Sequence, residues 1–273
     1  MLNLRNLSEQ YKKRVQLGND TVSTYQYSLG FLIMLHLLPG VLLFIGLILF
    51  SQPVVVKFFG IDPNLGPVFG YLAATTLILV EVLWLVKEKR KLEKIEPHER
   101  LIRYTEKSPI WQYFVLIPIL IAFTLIMYLV VAPLVQPFII DTFFSWYPQE
   151  YNFQVIIHDP TVLSNLKTYA GAQLLAIMNF ILPATTLTIV EEFYFRGYLL
   201  PRMEEHVKGY APLLNVILFS VYHFFSPWEN PVRILALLPV VYLVWYKRDI
   251  RFLLITHLVA NAVGGIYVLF MAF

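Results

Sequence analysis

The chain has 273 residues, of which 58% are hydrophobic, 16% aromatic and only 14% charged, with a net charge of +3. Its mean hydropathy is +0.64. Soluble domains carry about 25% charged residues, so this composition excludes an ordinary soluble class and indicates a chain that crosses a membrane repeatedly. There is no cysteine, which removes disulfides, thiolate nucleophiles and Cys-ligated metals and leaves an oxygen nucleophile or an activated water.

Lipid offers backbone groups no hydrogen-bond partners, and apolar runs near 20 residues select helices over barrel strands. The fold class is therefore all-α: one integral membrane domain over 1–273, a polytopic bundle of about seven transmembrane helices (range six to eight). In chain order the spans are predicted at 28–50, 68–86, 110–133, 171–200, 211–226, 231–246 and 251–272. The first exceeds a signal-peptide core and lacks a small-residue cleavage site, so it reads as a retained anchor. The connection 134–170 is long and aromatic, which predicts an interfacial segment or a partial cap over the outer face. The fourth run is long for one perpendicular helix. Pro183 interrupts it, predicting a separate or kinked piece at 171–182 before a helix from about Ala184 to Arg202.

Basic residues set the orientation. Arg5, Lys12, Lys13 and Arg14 precede the first span, and 87–107 holds eight Lys or Arg. The opposite connections are poor in both, so the N-terminus is placed in the cytoplasm. These clusters read as membrane flanks against the bilayer, not as a nucleic-acid surface.

An ionisable side chain at a helix centre costs about 2.5–3.5 kcal/mol on insertion scales, so each one in a span needs a reason. His36 and Glu81 are isolated and read as interhelical or interfacial contacts. Glu191, Glu192, Arg196, His223 and His257 cluster on three of the last four spans. In "EEFYFR", Glu192 and Arg196 stand at i,i+4 with the acid first and can neutralise each other, while Glu191 lies about 100° round the helix without that partner, where a general base could sit. The nearby "MEEH" at 203–206 lies beyond Pro201 among polar residues and reads as solvated surface. In "FSVYH", Phe219 and His223 share a helix face. In "HLVAN", His257 and Asn261 do the same, so that two donors converge as an oxyanion requires. At about 1.5 Å per residue, His257, Asn261, Glu191 and His223 all fall roughly 9–18 Å inside the cytoplasmic boundary. Gly264 and Gly265 permit close helix approach or loosen the last span.

A carboxylate, two imidazoles and a carboxamide suit hydrolysis by an activated water: Glu191 takes its proton, His223 orients it, and His257 with Asn261 stabilises the tetrahedral intermediate. A rival scheme places zinc on Glu191, His223 and His257. No HExxH occurs, and Asn261 is a poor zinc ligand but a good oxyanion donor, so the metal-free scheme, with no cofactor, is preferred.

The ordered motifs EExxxR, FxxxH and HxxxN, carried here by "EEFYFR", "FSVYH" and "HLVAN", resemble those of the CAAX protease and bacteriocin-processing (CPBP, or Abi) family of intramembrane endopeptidases. The resemblance covers roughly Ala184 to Gly265, a catalytic motif core at 184–265. It implies a membrane-embedded glutamic-type protease in which Glu191 and His223 activate water, His257 and Asn261 form the oxyanion hole, and Glu192 with Arg196 gives structural support. Members that process prenylated proteins usually have further helical sequence after the third motif, whereas twelve residues follow Asn261 here. The shorter prokaryotic members are the better comparison, which implies a prokaryotic cell membrane and a peptide or membrane-tethered protein as substrate, not necessarily a prenylated one. The competing readings are a non-catalytic immunity or scaffold protein of the same fold, and a transporter whose Glu and His relay protons. The lack of an inverted repeat counts against the transporter.

Overall fold

The computed structural model describes residues 11–17, 20–51, 57–58, 60, 75, 78–95, 100–147 and 172–272. The chain enters through a two-stranded ribbon in which β1 (Tyr11–Leu17) pairs antiparallel with β2 (Asp20–Gln26), from Tyr11 opposite Gln26 to Leu17 opposite Asp20. Apart from this ribbon the described elements are helical, in line with the all-α expectation. Val15, Thr21, Val22, Thr24 and Tyr25 favour extended backbone, and the intervening sequence Gly18-Asn19 is of the type that joins tight hairpins.

The rest is helical among the described residues: α1 (Leu29–Ser51), α2 (Leu79–Ile95), α3 (Ile110–Phe143), α4 (172–207), α5 (Ala211–Tyr222), α6 (Asn230–Lys247) and α7 (Arg251–Ala272). Two of them, Leu29–Leu49 and Ile110–Phe143, are long and apolar enough to cross a membrane, and Arg251–Ile266 is a shorter apolar helix. Seven such helices are not found among the described residues. α5 is only 12 residues long, and α4 carries the charges that lower its hydropathy. Ile110, Phe114, Leu129, Leu134 and Phe138 on α3 are each at least 65% exposed, an apolar face suited to lipid and not to water.

Pro183 does not split the fourth run. α4 continues through it, widening into π-helix over Leu182–Leu187 and again over Glu192–Leu199. Proline lacks the amide hydrogen of an α-helical bond and crowds the carbonyl one turn back, and a wider turn accommodates both. α3 likewise passes through a π segment at Met127–Val131 and runs on to Phe143, so the outer connection begins ten residues later than predicted. Beyond it, Phe144 and Tyr147 pack edge-on against the buried Trp228. The remainder of that connection, 148–171, and most of the predicted second span before residue 78 lie outside the described residues.

α4 runs through the centre of the bundle. α5 packs between α1 and α6, while α7 lies against α3, α4 and α6. Phe195, Leu199, Phe219, Val241 and Phe252 are buried to 2% exposure or less and form the common core. Fully burying side chains of this size contributes roughly 1.5–3 kcal/mol each.

At the polar end of the bundle, the segment Leu101–Ser108 is strapped across α4 and the α6–α7 turn. Arg103 N–H donates to the Gly197 carbonyl, Ile250 N–H to Tyr104 and Glu106 N–H to Arg248. Tyr104 and Arg248 both take left-handed backbone angles (φ 61° and 55°), held by these bonds. "MEEH" belongs to this strap and is not free surface: Glu204 accepts both guanidinium nitrogens of Arg248 and, at 2.5 Å, the Tyr104 hydroxyl. Burial opposes ionisation of Glu204, but the bonds from Arg248 and Tyr104 outweigh it and hold the carboxyl below its ordinary range. Asp249 behaves alike, with burial again outweighed, here by Arg251, Tyr113 and Ser108.

Candidate active site

The site is built where α4 and α7 run antiparallel in register. Glu192 Oε1 accepts from His257 Nδ1 at 2.8 Å. One turn along, Thr188 Oγ1 accepts from Asn261 Nδ2 at 2.8 Å. A further turn along, a Cβ placed on Gly265 would lie 3.1 Å from the Ala184 side chain and 2.7 Å from Phe180. Each step is four residues on both helices, so the i,i+4 spacing of HxxxN is matched by that of Thr188 and Glu192. Gly265 therefore serves close helix approach, whereas a Cβ on Gly264 meets open space.

Glu192 has a second partner. Its Oε1 also accepts from Arg196 Nη1 at 3.2 Å, with both side chains fully buried. The Arg196 guanidinium lies 3.9 Å from the centre of the Phe219 ring. The face of an aromatic ring attracts a desolvated cation, which compensates Nε and Nη2, atoms without hydrogen-bond partners among the described residues. Phe219, the first residue of FxxxH, thus supports the arginine of the first motif.

Glu191 points elsewhere. It is 4% exposed, and its Oε1 accepts the Tyr222 hydroxyl at 2.9 Å. Tyr222 is itself held against α1, since a Cβ on Gly40 would lie 1.9 Å from the Tyr222 carbonyl oxygen. Only glycine allows the two backbones to meet there.

His223 lies just past the end of α5, not within a helix continuing to 226. Its angles (φ −80°, ψ 61°) and the 2.9 Å bond from Phe224 N–H to the Tyr222 carbonyl make it the centre of an inverse γ-turn. Its Nδ1 donates to the Phe219 carbonyl at 2.8 Å. A carbonyl can only accept, so Nδ1 carries the hydrogen and Nε2 remains for other partners. The His223 ring stands edge-on to Tyr222 and Phe219, with centroids 4.5 and 4.9 Å apart, and Phe219 reaches the His257 ring at 6.4 Å.

Glu191, His223, His257 and Asn261 are therefore brought into one neighbourhood, with Glu192 and Arg196 beside them. Within it His257 hydrogen-bonds Glu192, so Glu192 serves both the arginine and the imidazole. Thr188 and Tyr222 join the site without having been singled out in the sequence. The signals were present, as Thr188 precedes Glu192 by the interval separating His257 from Asn261, and Tyr222 adjoins His223. Of the isolated residues, His36 is an interhelical contact: its ring nitrogens meet the Leu32 carbonyl at 2.8 Å and Asn215 Nδ2 at 2.9 Å. Glu81 is buried with Oε2 unpartnered among the described residues. Among those residues no three His, Asp or Glu side chains are grouped as metal ligands would be.

Two adjacent carboxylates, two imidazoles and a carboxamide are thus assembled as a polar site inside an apolar helical bundle, two helices of which are long and apolar enough to cross a membrane. Residues 173–263 match the family model for type II CAAX prenyl endopeptidases, described as Rce1-like, in agreement with the CAAX protease and CPBP family. The match spans about a third of the chain and includes every residue of the three motifs. No curated protein and no solved structure matches the chain.

Proposed function

We propose that the protein is a glutamic-type intramembrane endopeptidase that hydrolyses a peptide bond in a peptide or membrane-tethered protein. The observation that carries this reading is the division between the two glutamates. Glu192 Oε1 holds both Arg196 and His257, two cationic or ring partners, whereas Glu191 Oε1 accepts the Tyr222 hydroxyl, which leaves Glu191 as the carboxylate proposed to meet a water.

In the reaction the Glu191 carboxylate removes a proton from that water while the water oxygen attacks the scissile carbonyl carbon, and Nε2 of His223 accepts a hydrogen bond from the remaining O–H, whose proton it takes as the product carboxylate forms. The developing oxyanion is met by Asn261, whose other amide hydrogen is not used on Thr188, and by Nε2–H of a His257 ring carrying both protons, with Glu192 as its counter-charge. Glu191 then delivers its proton to the leaving nitrogen as the C–N bond breaks, producing a carboxylate and an amine. The basic flanks favour a cytoplasmic N-terminus, which places the site nearer the cytoplasmic side.

Purified wild type and Glu191→Ala, incubated with candidate membrane peptides with and without a chelator, test the scheme. Cleavage that is lost in the variant and insensitive to chelation is the expected result. Reversible loss on chelation would replace it with the zinc scheme on Glu191, His223 and His257. A folded Glu191→Ala protein with an unchanged cellular phenotype would favour the non-catalytic immunity or scaffold role.

A further inference from the structure

A second acid–arginine pair repeats the spacing of Glu192 and Arg196. Glu229 closes the 3-10 turn Pro227–Glu229, and Arg233 lies in the first turn of α6. The two form an ion pair at i,i+4 and are buried to 6% and 4% exposure. Arg233 spreads its remaining donors over one backbone carbonyl and two side-chain oxygens around His223. Nη1 donates to the Ser220 carbonyl at 3.3 Å and to Asn230 Oδ1 at 3.0 Å, and Nη2 donates to Ser226 Oγ at 2.8 Å. The Tyr128 hydroxyl of α3 reaches the same guanidinium.

Ser220 and Ser226 stand on either side of the turn that carries His223. The Ser220 carbonyl that Arg233 touches also accepts His223 N–H at 3.2 Å, and Ser226 N–H donates to the His223 carbonyl at 2.9 Å. One planar fork thus holds the chain on both sides of the γ-turn, two residues before it and two after it, a geometry that a guanidinium supplies and a point-charge ammonium does not. On the opposite side Arg196 bears on the ring of Phe219, whose carbonyl holds His223 Nδ1. His223 is set between two buried arginines, each neutralised by a glutamate four residues before it.

We propose that Arg233 is a positioning residue for His223. It clamps the turn so that the imidazole is kept in its Nδ1–H form with Nε2 presented to the site, and Glu229 is the counter-charge that makes a buried arginine tolerable there. The proposal rests on the reading of His223 as the group that orients water. The alternative is that the pair merely caps the start of α6.

The test uses full-length protein with ¹⁵N-labelled histidine in detergent micelles or nanodiscs. The variants are Arg233→Lys, Ser226→Ala and the doubly neutral Glu229→Gln/Arg233→Met, which leaves no unpaired charge. The expected result is a His223 ring that shifts from the Nδ1–H tautomer towards a mixture, with kcat lowered about 10- to 100-fold in the double variant while KM changes less than about twofold. The single variants, which keep the ion pair, should show smaller shifts in the same direction and supply the readout if the double variant does not fold. Folded variants whose His223 signals match wild type, and whose activity loss only tracks the amount of folded protein, would overturn the proposal. The tautomer measurement needs no turnover, so an inactive wild type would sink the proteolytic reading and leave the clamp to be judged on its own.

Discussion

His257 Nδ1 sits 2.8 Å from Glu192 Oε1, the same oxygen that holds Arg196. One buried carboxylate thereby joins α4 to α7 and couples a structural ion pair to a ring of the candidate oxyanion hole. Replacing it separates the two duties. Glu192→Ala leaves Arg196 buried and unpaired and should cost about 3–5 kcal/mol of stability. Glu192→Gln, which keeps an acceptor for both partners, should preserve more of the fold yet lower kcat by at least about tenfold. Thermal unfolding in detergent and initial cleavage rates distinguish these outcomes.

Tyr222→Phe removes the hydroxyl that positions Glu191 and little else. A hydrogen bond to a charged group contributes about 1.5–3 kcal/mol to stability, so the variant should melt lower by a corresponding amount, and the cleavage rate per folded molecule should fall by about tenfold or more. Wild-type rates in this variant would mean that Glu191 is positioned by something other than Tyr222.

Gly40 and Gly264 form a matched pair of probes. A methyl on Gly40 meets the Tyr222 carbonyl at 1.9 Å, while one on Gly264 meets nothing within 4 Å. Gly40→Ala should destabilise the α1–α5 contact by about 1–3 kcal/mol and reduce activity through Tyr222. Gly264→Ala should lie within about 1 kcal/mol of wild type, on the stabilising side. Equal melting temperatures for the two variants would argue against the close approach.

The strap at the polar end predicts acid lability. Glu204 and Asp249 both have folded-state carboxyls held below their ordinary values. Their contribution is therefore fully present above the unfolded value, about 4, and is lost as pH falls through the folded one. Wild type should be more stable than Glu204→Gln at pH 7, and the gap between their melting temperatures should close as pH is lowered towards about 3. A gap independent of pH would mean that the charge on Glu204 does not matter to the strap.

Much of the site was legible because intramembrane charge is rare and i,i+4 spacing is unambiguous on a helix. Glu192 with Arg196, and His257 with Asn261, could be read directly as pairs sharing one face. Partner choice between helices was not legible. That His257 takes Glu192, and that Glu191 turns to Tyr222, depends on the register of α4 against α7, which Gly265 and Ala184 set through contact. The γ-turn at His223 was hidden for a similar reason: an apolar run to 226 reads as continuous helix until Arg233, further along the chain, holds the Ser220 carbonyl and the Ser226 hydroxyl. Pro183 marked where the helix changes but not how: the chain does not break there and passes from α-helix to a π segment.

Composition and spacing settle what is local or additive. Burial of an apolar, cysteine-free chain in lipid follows from summed transfer energies, and the triplet of motifs follows from residue type and helical periodicity. Which carboxylate is spoken for and which is left to meet a water is neither local nor additive. It is decided where α1, α4, α5, α6 and α7 meet, because a buried hydrogen bond forms only when distant helices bring donor and acceptor within about 3 Å of each other.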